Sequence, residues 1–362
     1  DQTSQYFLPD TTYFTDDISN SLESYENHAM NMNVEIKIDS LSELQIKPRF
    51  SLNQSDLLSI TDNIFRDNMG DTTSTTNIFN QIVQRQTNAS ARLNYSKKFM
   101  KEKRRLNIIY DFNMNDTDED GLLETNSKFV YSPTFNDSVD QSQVQTIRNM
   151  YNSAQVFFAE PLNDVWMLNF DYYFRHTDAA QKKVTHNKVG DEYTDYDSIL
   201  SNDFQTTKLL NRGGLKFRFK KGKVRASLGA QYRNVMIDNY DFTTDTLIGQ
   251  NINNFLPNAS FNIKFSNSRR INVFYNTSSQ QPSLSQLQPV ANNTDPNRIS
   301  IGNSDLRPNY VHRVNATFNT WEALSGFYLW TSLNLSKSYD DFSTSVTYDA
   351  FGRTISQWVN VD

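Results

Sequence analysis

Every second residue is apolar across Met30, Met32, Val34, Ile36 and Ile38, and after a tight turn the rhythm resumes across Leu44, Ile46, Phe50 and Leu52. Such alternation sends successive side chains to opposite faces of an extended strand, giving this hairpin one apolar and one polar face. The arrangement returns along the chain. Ala89, Ala91, Leu93 and Tyr95 pair with Leu106, Ile108, Tyr110, Phe112 and Met114 across KKFMKEKRR, and Ala154, Val156 and Phe158 with Trp166, Leu168, Phe170, Tyr172 and Phe174 across AEPLNDV. Leu215, Phe217 and Phe219 meet Val224, Ala226, Leu228, Ala230 and Tyr232 across KKGK. Ala259, Phe261, Ile263 and Phe265 meet Ile271, Val273 and Tyr275 across SNSRR. A sixth hairpin sets Val314, Ala316 and Phe318 against Phe327, Leu329, Leu333 and Leu335 across TWEALSG, and further strands are predicted near 342–348 and from 355.

The connections are lopsided. Short turns alternate with long polar stretches at 53–86, 115–150, 176–206, 237–255, 277–310 and 336–341, which read as loops. Strands of about 9–11 residues suffice to cross a bilayer at a tilt. Short turns on one side and long loops on the other are the habit of transmembrane β-barrels, whereas a soluble β-sandwich with the same alternation turns at short, regular intervals. The fold class is therefore read as all-β, an antiparallel transmembrane β-barrel. Lys216, Arg218, Arg225, Gln231, Arg233, Asn262 and Lys264 occupy the polar phase of their strands. A cationic side chain facing hydrocarbon costs about 2–4 kcal/mol near the midplane, so these residues are assigned to the lumen and the apolar phase to membrane lipid. Loop length places 115–150 and 277–310 outside the cell and turns 98–104 and 220–223 in the periplasm.

A hydrophobic share of 37% and a mean hydropathy of -0.66 suit a barrel, in which only half of each strand meets lipid. No apolar run approaches the roughly 18 residues of a membrane helix. The net charge of -6 argues against a nucleic-acid partner, and the absence of cysteine removes thiol catalysis, disulfides and cysteine metal sites. The first residues, DQTSQYFLPD, lack the basic segment and apolar core of an export signal, and TISQWVNVD resembles the start of a strand. The chain 1–362 is accordingly read as one partial barrel domain, an internal piece of something longer.

One run carries metal chemistry. In DTDEDGLLE, Asp116, Asp118 and Asp120 precede Gly121, with Glu124 beyond. Carboxylates at positions 1, 3, 5 and 9 with Gly at 6 match a calcium loop, although Ser127 stands where the bidentate Glu belongs. These four are the candidate calcium ligands, expected to order an extracellular loop at weak affinity; a solvated acidic tip is the plainer alternative. His28, His176, His186 and His312 lack metal-ligand spacing, and no GxSxG, GxGxxG or phosphate loop occurs, so no catalytic residue is assigned and the protein is not read as an enzyme. Tyr193, Tyr196, Tyr240 and Phe242 are expected to pack the loops against one another.

The stretch 256–320 holds Gln281, Pro282, Ser283, Gln286, Leu287, Gln288 and Pro289, followed by Ile301, Gly302, Asn303, Asp305, Leu306, Arg307, Pro308, Tyr310 and His312. This QPS-x-SQLQP loop and IGN-x-DLRP-x-Y-x-H run resemble the late barrel of TonB-dependent-receptor-like outer-membrane proteins of the Bacteroidota type, as do AEPL at 159–162 and NVD at 360–362. The resemblance implies a barrel of about 22 strands, with a plug and N-terminal domains that are not in this chain. It implies import of an unidentified ligand through the Gram-negative outer membrane. Its implied partners are the TonB system, through a missing N-terminal part, and a surface lipoprotein or other outer-membrane subunits. The alternative function is a transporter-like barrel kept as a structural or assembly subunit of a larger outer-membrane complex; a third reading is a soluble β-rich adhesin. The shared loop is expected to be structural, with Asp305 and Arg307 satisfying buried backbone groups.

Overall fold

The computed structural model describes the chain except residues 1, 8–11, 131–136, 288–291, 296–297, 323 and 349–353. Nineteen strands and one short helix are described. The strands are β1 (Gln2–Phe7), β2 (Thr12–Asn31), β3 (Val34–Lys37), β4 (Ser42–Arg66), β5 (Thr72–Lys98), β6 (Arg105–Phe129), β7 (Asp137–Pro161), β8 (Trp166–Val189), β9 (Glu192–Tyr196) and β10 (Asn202–Lys221). They continue as β11 (Val224–Asp241), β12 (Thr246–Lys264), β13 (Arg269–Gln280), β14 (Asn292–Asp295), β15 (Arg298–Ile301), β16 (Asn309–Glu322), β17 (Phe327–Tyr339), β18 (Asp341–Tyr348) and β19 (Thr354–Val361), with α1 (Leu284–Leu287) after β13. One antiparallel sheet of 15 strands runs β1-β2-β4-β5-β6-β7-β8-β10-β11-β12-β13-β16-β17, with β3 and β9 pairing β4 and β8; β14, β15, β19 and β18 form a second sheet. Each strand pairs with the next along the main path, the short β3 and β9 pairing at its side and β14 and β15 falling to the second sheet between β13 and β16, much as in an up-and-down barrel.

The register aligns the apolar phase across the wall. Ile46 pairs with Leu93, Leu93 with Tyr110 and Tyr110 with Ala154. Phe170 pairs with Leu215, Leu215 with Ala230, Ala230 with Pro257, Ala259 with Tyr275, and Tyr275 with Val314. This outward face stays exposed, Leu228 at 68% and Leu333 at 54%, while inward Val235 is fully buried. Exposure of the larger apolar side chains is the inverse of a soluble core and marks a lipid-facing surface. Toward the upper side of the apolar band, Tyr110, Tyr172 and Tyr232 each donate a hydroxyl to an Asn carbonyl oxygen on the next strand of the sheet, Asn152, Asn211 and Asn253, at 2.7, 2.8 and 2.7 Å. Their rings face lipid while their hydroxyls satisfy polar neighbours, the role of an interfacial girdle.

At the opposite rim the chain turns tightly. Gly222 takes φ +55° in the KKGK turn, where a left-handed conformation strains any residue with a Cβ. Arg104 and Lys101 clamp Glu160 of the neighbouring hairpin at 2.7 Å each, binding the β5–β6 turn to β7. Hydrogen bonds from Arg104 and then Lys101 hold the Glu160 carboxyl down to about 2.

Five of the stretches read as long loops are mostly strand. Residues 53–66 continue β4 and 72–86 belong to β5; 115–129 and 137–150 are the upper parts of β6 and β7. The segments 176–206 and 237–255 are likewise filled by β8, β9, β10, β11 and β12, and 336–339 completes β17. The ladders of β4, β5, β6 and β7 thus rise well beyond the bilayer as ribbons of up to 27 residues.

Candidate functional site

The inward face of the wall is the one a barrel turns to its lumen, and here it is mostly polar. Asn27 donates to Asn53 and Asn53 to Gln86, both at 2.9 Å; Asn115 donates to Asn88 at 2.6 Å and Asn88 to Ser51 at 3.2 Å. Asn262 donates to Asn272, whose amide reaches Thr317 at 3.1 Å, and Ser227 meets Ser260 at 2.7 Å. Cross-strand amide and hydroxyl pairs of this kind satisfy one another without a core. Lys216, Arg218, Arg225, Gln231, Arg233, Asn262 and Lys264 all belong to this face, since each pairs in register with inward residues and lies one position from a lipid-facing one.

The wall changes character across β8, β10 and β11. Arg175, Lys208, Arg212 and Arg233 share one inward area, with Arg175 opposite Leu210 and Arg212 opposite both Tyr173 and Arg233. Arg175 stacks over the Tyr151 ring at 3.8 Å and Arg212 over Tyr173 at 5.1 Å. Among the described residues, none of the four forms an ion pair with a carboxylate. Sequence reasoning singled out Arg233 alone; Lys208 and Arg212 share an inward phase with apolar Leu210 between them, which breaks the polar rhythm there.

The loop shared with the receptor-like proteins reaches this area. β12 and β13 pair only up to Asn258 and Asn276. Pro257 follows on that edge, and its missing N–H ends the ladder there while its carbonyl accepts from the Thr277 hydroxyl. Beyond that point β13 continues to Gln280 paired with β16 alone, and bonds to the inner wall. The carbonyl of Ser279 accepts from Arg233 at 2.9 Å, and the side-chain oxygen of Gln281 accepts from Lys208 at 3.4 Å. Ser283 and Gln286 cap α1 reciprocally, Gln286 N–H to the Ser283 hydroxyl at 3.3 Å and Ser283 N–H to the Gln286 side chain at 2.8 Å. Leu287 and Leu306 are buried beneath. The expected backbone-satisfying residues are corrected here. Asn303 donates to the Trp358 carbonyl at 2.9 Å, and Asn360 exchanges two bonds with the Arg307 backbone, whereas the Arg307 side chain pairs with Asp340 at 2.6 Å. Amide side chains win because each offers a donor and an acceptor. Gln288 and Pro289 lie outside the described residues.

The acidic run is not a loop. Asp116, Asp118, Asp120 and Glu124 stand on the outward edge of the upper part of β6, above Leu106, Ile108, Tyr110, Phe112 and Met114 of the same phase. An extended strand spaces same-face residues by about 6.6 Å, so the four spread over about 26 Å and do not converge on one ion. Gly121 takes no turn; it pairs with Ile82 and Gln143 in the ladder. Asp116 faces Arg148 at 3.4 Å, Asp120 faces Arg85 at 3.6 Å, and Asp118 accepts from Thr146 at 3.1 Å. Among the described residues no three His, Asp or Glu side chains are grouped to hold a metal ion. His176 lies 3.3 Å from Asp178, and His312 nests between Tyr275, Tyr310 and Tyr339.

Above the membrane the ribbons are pinned to one another. Burial pulls the Asp140 carboxyl up, but hydrogen bonds from Lys188 and Tyr193 outweigh it and hold the group below its usual value. Tyr240 packs edge-on against Phe242 at 4.6 Å, and Tyr196 against His186 at 5.8 Å, so the aromatic residues of this region do pack against neighbours.

Comparison with known proteins agrees with this geometry. The model of the outer membrane protein beta-barrel family matches residues 97–362. Among solved structures, the chain is similar to the copper transporter OprC at 10% identity and a TM-score of 0.57, covering 99% of this chain and 58% of that one. It is also similar to the Serratia marcescens hemophore receptor HasR, solved as a double mutant with its hemophore HasA and heme, at 10% identity and a TM-score of 0.53, covering 97% of this chain and 56% of that one. At such identity the likeness is one of fold, and the chain spans a little over half the length of each. No curated protein matches it.

Proposed function

We propose, for a chain that belongs to the outer membrane protein beta-barrel family, that it forms the wall of a transporter of the TonB-dependent type and admits an external ligand across the Gram-negative outer membrane. The family places it in the outer membrane. One observation carries the transport reading: an apolar outward band and a mostly polar, partly cationic inward wall run in unbroken register through these strands, and the end of β13 with Gln281 after it bonds to that inner wall. A scaffold needs the outward band; it does not need a lumen lined by charge. The extracellular ribbons supply first contact with the ligand, and energy from the periplasm through the TonB system drives its passage.

Cells carrying or lacking the protein, grown on the same medium, provide the test. Mass spectrometry of the spent medium should show compounds depleted only by the carrying cells, and a protonophore should abolish the difference. Equal depletion, combined with co-purification of the barrel in a stable complex with other outer-membrane proteins, would move the assignment to an assembly subunit.

A further inference from the structure

The cationic area on the inner wall has more hydrogen-bond donors than the protein can satisfy. Nε of Arg175, Nε of Arg212, Nε of Arg233 and the amide nitrogen of Gln281 are all buried without a partner among the described residues. The Ser279 hydroxyl beside them is also unpartnered. Elsewhere on the wall the buried polar atoms without a partner among the described residues are mainly amide oxygens, as at Asn94, Asn169 and Asn319, whereas here they are mostly nitrogen donors. Arg233 and Arg175 lie within electrostatic reach of Lys208, and Arg212 of Arg233. Like charges held together repel, and a folded chain keeps such a group only where an opposite charge joins it.

The geometry also places the donors. The Arg175 guanidinium lies over the Tyr151 ring at 3.8 Å and that of Arg212 over Tyr173 at 5.1 Å, which holds both groups on the wall beside the neighbouring cations. A guanidinium edge matches carboxylate and phosphate oxygens two at a time. The end of β13 and Gln281 just after it lie against the area, through the bonds of Ser279 to Arg233 and of Gln281 to Lys208. A partner must therefore be small, rich in acceptor oxygens and multiply negative.

We infer that Arg175, Lys208, Arg212 and Arg233, flanked by Ser279 and Gln281, form a luminal binding site for a small organic oxyanion carrying several carboxylate or phosphate groups. This deepens the transport reading and rests on it, naming the chemical class of ligand that the wall receives.

The test uses the full-length protein in detergent micelles, with citrate and pyrophosphate as probes and calorimetry as readout. Wild type should bind one or both, and binding should weaken as salt is raised. The Arg175→Gln and Arg212→Gln variants should each lose tenfold or more in affinity, and Gln281→Ala, just after β13, should lose less. Arg218→Gln, nearer the periplasmic rim, should bind as wild type does. Retarded migration of unheated samples on a gel confirms that each variant is folded, and Gln281→Ala serves if an arginine variant is not. Absence of binding to both probes, or equal binding by wild type and the Arg175→Gln/Arg212→Gln double variant, overturns the site. Binding of an oligoglutamate peptide but of neither probe also overturns it, giving the area to an acidic protein segment. If the double variant still drives energy-dependent depletion from the medium, the site fails and transport stands; if binding is lost as expected but no depletion occurs in wild type, transport fails.

Discussion

Two glycines of neighbouring strands show how the faces of this wall differ residue by residue. Gly213 belongs to the outward phase, and a Cβ built there meets nothing within 4 Å. Gly229 is inward, and a Cβ there meets the Leu215 carbonyl oxygen at 2.8 Å and the Lys216 Cβ at 3.0 Å. Backbone cannot swing away as a side chain can. Gly229→Ala should destabilise the barrel by about 1–3 kcal/mol, as overpacking does, while Gly213→Ala should be neutral or stabilise by about 0.5 kcal/mol through the unfolded chain. Urea unfolding in lipid vesicles reads both. Glu160 gives a pH signature at the same scale. Its folded value of about 2 lies below the ordinary 4.5, so its contribution is fully present above the unfolded value and fades as pH falls through about 2. Glu160→Gln should therefore be less stable than wild type at neutral pH, and the gap should close as pH falls from about 4.5 to about 2. A gap independent of pH would mean the clamp acts by packing rather than charge.

At the scale of the strand, what alternation revealed was the membrane-crossing part. Between Leu106 and Met114 the outward phase is apolar and the inward phase mostly polar, and that contrast is what a reader of sequence detects. From Asp116 upward the outward phase turns polar because it has left lipid, and the contrast vanishes although the ladder continues to Phe129. The upper ribbons were invisible for that reason and read as loops. The same blindness made DTDEDGLLE resemble a calcium loop, since carboxylates two apart suit a turn or a solvated strand edge equally. The cationic area was hidden differently. Its members sit on three strands, and only pairing register brings Arg175, Arg212 and Arg233 together. The lipid-facing assignment carries its own prediction. Leu228 stands mid-band and 68% exposed, so Leu228→Arg should cost about 2–4 kcal/mol, measured by denaturant unfolding in vesicles. Arg225→Leu, on the inward phase, should change stability far less. Equal losses at the two positions would mean that both faces are buried in protein.

For the whole molecule, one vector orders everything described: turns such as Lys220–Lys223 at one rim, ribbons and the loop that follows β13 at the other. Short basic turns suit the periplasmic rim, where Lys and Arg extend past the apolar band. Tyr110, Tyr172 and Tyr232 stand toward the far side of that band, and the ion-paired ribbons begin beyond it, from Asp116 on β6, in water. Two turns at opposite ends of this vector are open to insertion. Gly190 joins β8 to β9 with φ +65° and Gly222 joins β10 to β11 with φ +55°, and a Cβ at either meets nothing within 4 Å. A short epitope inserted at Gly190 should bind antibody on intact cells, and one at Gly222 only after the outer membrane is permeabilised. Both insertions lie beyond the lipid-facing band, so heat-dependent gel migration should stay that of the folded barrel. The reverse staining would invert the protein in the membrane, placing the cationic area and the loop that follows β13 toward the periplasm, where no external ligand could reach them first.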